Sequence, residues 1–190
     1  MRRMMSVLIA YASARPSTTE IAEQIADRLV KSGFAVVVRP AEQVESIESY
    51  RLVVLGSDAY DRKRLLEASN FLSRFAEELA RISLLMFSTG RDAETSSFGR
   101  QFAALVDDKP GERASDSTHL LAHRHFAGTF ERRDWSLLRD LFFKVCGRTP
   151  GDLRDWRDVN AWAADIAREL QRVDHLKERR RLHLSVRGRP

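Results

Sequence analysis

A single cysteine in 190 residues, Cys146, rules out an internal disulfide and a thiol-pair redox motif within one chain, and fits a reducing compartment. No apolar run approaches the ~20 residues that span a bilayer. There is neither the G-x-x-x-x-G-K-S/T loop of nucleoside-triphosphate sites nor the G-x-G-x-x-G of dinucleotide folds. His119, His123 and His125 lack the further Cys or His that would complete a tetrahedral metal set, so a packed or solvated strand is the expectation there. Cys146 itself lies in an apolar stretch and reads as a packing residue. The body of the chain also lacks an excess charge. Net charge is +5, but Lys177–Pro190 carries six basic side chains against one acid, and the rest balances at 26 of each sign. The basicity therefore describes a C-terminal tail and gives no reason to expect a nucleic-acid-binding body.

Hydrophobic residues make up 43% and charged residues 31%, the balance of a globular domain of ordinary size. Residues 1–176 read as one domain and 177–190 as a basic tail. Met1-Arg2-Arg3 before an apolar stretch, with Ala12-Ser13-Ala14 behind it, has the outline of a short signal peptide. The competing reading is a first strand. It is preferred because the apolar stretch is short and a good helix start follows it.

Strand and helix patterns alternate. Strands are expected at Ser6–Tyr11, Ala35–Val38 (ended by Pro40), Leu52–Ser57, Ser83–Phe87 and within His119–Phe130. Helices are expected at Thr18–Ser32, stopped by Gly33, and at Leu65–Ala80, whose buried face is Leu65, Ala68, Leu72, Phe75, Ala76 and Leu79. A reduced helix falls around Glu42–Tyr50. The second half offers helices at Phe98–Val106 and Trp135–Cys146. A long final helix follows, with Trp156, Val159, Trp162, Ala163, Ile166 and Leu170 on one stripe. Such alternation implies a parallel sheet covered on both faces. Ligands of open parallel sheets bind beyond the carboxyl ends of the strands. Three such ends carry small polar residues: Ser13–Thr18, Ser57–Tyr60 and Ser88–Gly90.

The first of these runs from a strand through a hydroxyl-rich turn into a helix. Backbone N–H groups at a helix start are unpaired and partly positive, so this turn reads as a neutral, Ser/Thr-based anion cradle. Ser17-Thr18-Thr19-Glu20 is also a capping box, in which Ser17 would cap the N–H of Glu20 without any ligand. Both readings stand on the sequence.

The pattern Tyr-Ala-Ser-x-x-x-Ser-Thr-x-Glu-Ile-Ala from Tyr11, then Val-Val-Leu-Gly-Ser-x-x-Tyr from Val53, then Phe-Ser-x-Gly from Phe87 resembles the flavodoxin-like FMN-binding family. It is nearest the branch containing menaquinone-dependent protoporphyrinogen oxidase. Phe126-Ala127-Gly128 and the helix opening at Asp155-Trp156 resemble that branch too. The resemblance implies a flavodoxin-like, doubly wound α/β fold, with a five-stranded parallel sheet in the order 2-1-3-4-5 and helices on both faces. By the same resemblance, Ser13, Ser17 and Thr18, with backbone groups of Ala14 and Arg15, would hold the FMN phosphate. Ser57, Asp58, Ala59 and Tyr60 would flank the isoalloxazine ring, Tyr60 by stacking. Ser88, Thr89 and Gly90 would meet the pyrimidine edge.

The chain departs from the pattern at Pro16, where glycine is common in the family. Proline has no N–H and removes one phosphate donor, although it is tolerated at a helix start. Asp58 would place a carboxylate near the ring, and Asp61-Arg62-Lys63-Arg64 gives the second loop a charged rim. The implied function is FMN-dependent oxidation–reduction or electron transfer in the cytoplasm, with a redox partner or a quinone as the other party. The alternative is a flavodoxin-like domain with weakened or lost FMN binding that serves as an interaction or regulatory module. The apolar residues of Trp135–Cys146, with Arg132, Arg133, Arg139, Lys144 and the basic tail, read first as core. Their second reading is peripheral contact with an anionic membrane face.

Overall fold

The computed structural model describes residues 6–58, 61–90, 120–127 and 154–187. Within them lie five parallel strands: β1 (Ser6–Ala12), β2 (Ala35–Pro40), β3 (Leu52–Asp58), β4 (Ser83–Gly90) and β5 (Leu120–Ala127). Their spatial order is β2-β1-β3-β4-β5, as expected from the resemblance. The apolar segment read alternatively as a leader is β1, a central strand with Val7 to Ala10 fully buried.

Side chains alternate strictly across the sheet, because successive residues of a strand point to opposite faces. Val7, Ile9, Leu52, Val54, Leu85 and Phe87 face one layer, and Leu8, Ala10, Val53, Leu55, Leu84 and Met86 face the other. Both faces must therefore be covered. Helix α1 (Pro16–Lys31) and helix α4 (Trp156–Arg187) cover the first, inserting Ile21, Ile25 and Leu29, and Val159, Trp162 and Ile166. Helices α2 (Arg62–Arg74) and α3 (Ala76–Leu79) cover the second with Ala68, Phe71, Phe75 and Leu79, joined by Val44 and Ile47. Each buried Leu, Ile or Phe of this kind is worth about 1.5–3 kcal/mol relative to exposure.

Gly33 ends α1 with φ of 92°, a conformation that glycine adopts without Cβ strain. Gly56 is required for a different reason. A Cβ at this position would lie 2.2 Å from Phe87 Cζ, because the Phe87 ring packs over the backbone of β3. That ring joins Phe126 and Trp162 in an aromatic cluster with centroids 5.6–6.2 Å apart.

The helix expected as one segment over 65–80 is two. The helical dihedrals are interrupted at Phe75, with φ −111° and ψ 23°. Two contacts hold the break. Arg74 donates to the carbonyls of Ala41 (3.0 Å) and Val44 (2.8 Å), and the Phe75 ring packs edge-on against Phe71 at 5.0 Å. Phe71, absent from the expected stripe, is almost fully buried on the same face as Ala68, Phe75 and Leu79. The reduced helix near residue 42 is a single 3-10 turn at Ala41–Gln43. The expected helices at Phe98–Val106 and Trp135–Cys146, together with His119 and Cys146, lie outside the described residues.

Asp155 caps α4 by accepting from the N–H groups of Arg157 (2.9 Å) and Asp158 (3.3 Å). Asn160 then ties α4 to α1 by accepting from Gln24 and Arg28, both at 2.7 Å. The helix continues to Arg187 and so carries the start of the basic segment. No helix among the described residues is long and apolar enough to cross a membrane.

Candidate cofactor site at the strand ends

The carboxyl ends of β1, β3 and β4 lie side by side, with Ala12 opposite Ser57, Ser57 opposite Ser88, and Asp58 opposite Thr89. Parallel pairing in this register brings the three polar ends together, although 70 or more residues separate the first from the third.

The first end is organised by α1. The helix begins at Pro16, two residues before the expected start, and Arg15 is its N-cap residue. No side chain caps it among the described residues, and no acid occupies its first turn. The capping-box expectation is therefore corrected. Ser17 lies inside the first turn, where its hydroxyl is not in cap position, and Glu20 pairs with Arg154 instead. The reason is proline: its fixed φ suits the first helical position, so the helix starts at Pro16 and carries Ser17 past the cap. Backbone N–H groups of the first turn thus keep their anion-binding capacity. The loop before them is held by Ser13, whose hydroxyl accepts from the Arg15 N–H at 3.0 Å and donates to the Arg15 carbonyl at 3.2 Å. Ala14 and Arg15 are exposed, and Ser17 and Thr18 are buried.

Two contacts fasten this loop to its neighbours. Thr18 and Thr89 share a buried hydroxyl–hydroxyl bond of 2.7 Å. Arg15 Nε lies 3.3 Å from Asp58 Oδ2. Asp58 is almost fully buried at the end of β3, so its charge is met by the Arg15 guanidinium. The cradle read as neutral from its hydroxyls therefore contains a cationic side chain. Only the backbone of Arg15 was expected to take part. The sequence held the signal, an arginine directly before a helix-opening proline, but not the position of its partner.

The second end contributes Ser57 and Asp58, both buried; Ala59 and Tyr60 lie outside the described residues. At the third end Ser88 and Thr89 are buried and Gly90 is half-buried. Ser88 has partners that the sequence did not pair with it. His125 Nδ1 lies 2.9 Å and His123 Nε2 3.1 Å from its hydroxyl. The two histidines share a strand face as expected, and the β4–β5 register, Ser88 opposite His125, delivers them to the serine. Partial desolvation of the ring, and then the neighbouring His125, hold the His123 pKa below the ordinary histidine value. No group of three metal-ligating side chains occurs among the described residues.

The assembled site offers an uncapped helix N-terminus, clustered hydroxyls and one arginine at its mouth. Chemically it suits an anionic group attached to a polar body. A family model described as a flavodoxin domain matches residues 8–125. Solved structures repeat the fold. A flavodoxin from the domain Archaea superposes with a TM-score of 0.56 at 14% identity, covering 88% of this chain and 99% of that one. A cysteine-to-serine mutant of the Pseudomonas aeruginosa flavodoxin gives 0.59 at 12% identity, with the same coverage of 88% and 99%. A Streptococcus pneumoniae flavodoxin gives 0.52 at 17%, covering 86% and 99%. Among curated proteins none matches this sequence.

Proposed function

This chain belongs to the flavodoxin-domain family, and from that footing we propose that it binds FMN across its three strand ends and acts as an FMN-dependent oxidoreductase or electron-transfer protein. The observation that carries the proposal is the uncapped start of α1, tied to the other two ends through Thr18–Thr89 and Arg15–Asp58. The donor set fits the phosphate end of FMN. First-turn N–H groups, the hydroxyl of Ser17, and the absence of an acid in that turn all favour an anion.

FMN supplies the transfer of electrons; the protein supplies binding, orientation and electrostatics. In this reading Ser13, Ala14, Arg15, Ser17 and Thr18 hold the phosphate. Ser57, Asp58, Ala59 and Tyr60 flank the ring, and the backbone of Ser88, Thr89 and Gly90 meets its polar edge. Thr18 and Thr89 keep the first and third groups at a fixed separation. Residues 1–176 form the redox domain and 177–190 a basic extension.

The finer proposal is coupling to a quinone, as in the protoporphyrinogen oxidase branch that the loop sequences resemble. Peripheral contact with an anionic membrane face, through Trp135–Cys146 and the basic extension, would bring the domain to such a lipid-soluble partner. Salt-sensitive co-sedimentation with anionic liposomes is the expected result, and its absence removes the membrane element.

A second reading is favoured by one observation. Pro16 provides no N–H at the first helical position, and the Thr18 side chain is already engaged within the protein. A domain so built could have relinquished FMN and serve as an interaction module. The visible spectrum of the purified protein separates the two. Flavin bands at near-stoichiometric occupancy support FMN-dependent redox function, whereas a colourless protein that added FMN does not reconstitute supports the module.

A further inference from the structure

We propose that Arg15 makes this site selective for a phosphorylated flavin, by supplying the phosphate with a charged donor in place of the backbone N–H that Pro16 lacks. The inference rests on the FMN reading above and adds to it a role for the Arg15 side chain and a selectivity.

Four observations lead to it. Arg15 is the N-cap residue of α1, so its side chain departs from the point where the helix amides present positive charge. The next residue, Pro16, contributes no donor. Arg15 Nε is held 3.3 Å from Asp58 Oδ2, a carboxylate with a side-chain exposure of 4%. The Arg15 side chain is itself 51% exposed. A guanidinium carries five N–H donors in a fixed plane, and an Asp58 contact through Nε leaves the Nη donors for a second anion. Asp58 thus holds the guanidinium at the mouth of the cradle, and its own charge is compensated there.

The hydroxyl-and-amide cradle alone binds phosphate through neutral donors. Adding a guanidinium changes what the site measures. Neutral donors gain modestly from the phosphate of FMN, whereas guanidinium donors reward it with charge-assisted bonds worth roughly 10- to 100-fold in affinity. Selectivity between FMN and riboflavin, which share the ring and differ by the phosphate, is therefore the property that Arg15 controls.

The test uses the full chain in flavin-free form, titrated with FMN and with riboflavin while flavin fluorescence is followed. Wild type should prefer FMN. Arg15→Gln should cut the FMN-to-riboflavin affinity ratio by roughly tenfold or more. Arg15→Lys, which keeps the charge but not the planar fork, should recover part of the ratio. Raising ionic strength should erode the wild-type ratio more than that of Arg15→Gln. An Arg15→Gln ratio equal to wild type overturns the proposal, whether both affinities fall together or neither moves, and leaves FMN binding standing. A wild-type chain that takes up neither flavin overturns the FMN reading and this inference with it.

Discussion

Thr18 and Thr89, 71 residues apart in sequence, are joined by a 2.7 Å bond between two buried hydroxyls. The bond sets the distance between the first turn of α1 and the end of β4, the two walls of the proposed site. Its partners are fully or almost fully buried, so each hydroxyl depends on the other for satisfaction. Thr18→Val should leave the Thr89 hydroxyl buried without that partner and cost about 1–3 kcal/mol. The double variant Thr18→Val/Thr89→Val should recover much of the loss, since removing both partners can be close to neutral. Urea unfolding of the four proteins measures the coupling. Strictly additive losses would show that the bond contributes nothing to stability.

Gly56→Ala tests the close approach between β3 and the Phe87 ring. The added methyl would meet three ring carbons at 2.2–2.8 Å. The ring is fully buried and braced by Phe126 and Trp162, so it has little room to withdraw. A loss of about 2–3 kcal/mol is expected, lowering Tm by roughly 5–10 °C. Phe87→Leu in the same chain should make the penalty of Gly56→Ala smaller. An unchanged Tm for Gly56→Ala alone would contradict the contact.

These contacts also show what the sequence could and could not disclose. Strand order and the two-sided core were legible because fully apolar runs such as Leu52–Leu55 alternate with helical stripes, and parallel sheets built this way need covering on both faces. The site's location was legible because small polar residues end three of those runs. Side-chain partnerships across the sheet were not. Ser88 meets His125 only through the β4–β5 register, and Arg15 meets Asp58 only once β1 and β3 are adjacent. The start of α1 was misplaced because Ser17-Thr18-Thr19-Glu20 is locally a good capping box, while Pro16 is a better first helical residue. The break at Phe75 was hidden for a similar reason. Arg74 reaches carbonyls about 30 residues earlier, and no local periodicity encodes that.

His123 should make stability depend on pH on the acid side of neutrality. Partial desolvation of the ring and the neighbouring His125 lower its pKa in the folded chain, so the unfolded chain binds a proton more readily. Stability then falls as pH drops below the ordinary histidine value of about 6.5 and reaches its lower plateau beneath the folded-state pKa. Above that ordinary value the contribution is fully present. His123→Gln, which keeps a polar group facing Ser88, should flatten the Tm profile below about pH 6.5. A variant profile parallel to wild type would assign the dependence to other groups.

Pro16→Gly addresses the residue on which flavin binding turns most directly. Proline occupies the first helical position and brings no N–H to the anion cradle. Glycine restores that donor and permits the backbone shapes common at this position in related loops. One further hydrogen bond to a charged phosphate is worth about 1.5–3 kcal/mol, and the added chain flexibility of glycine costs about 0.5–1 kcal/mol. The balance favours FMN binding that is roughly tenfold tighter, with riboflavin affinity nearly unchanged. Global stability should move the other way by about 0.5–1 kcal/mol, because proline restricts the unfolded chain. Parallel FMN and riboflavin titrations read the first effect and thermal unfolding the second. FMN binding that is equal or weaker in Pro16→Gly would mean that the first-turn amide at this position does not face the phosphate, and the cradle would have to be redrawn around Ser13, Arg15 and Ser17.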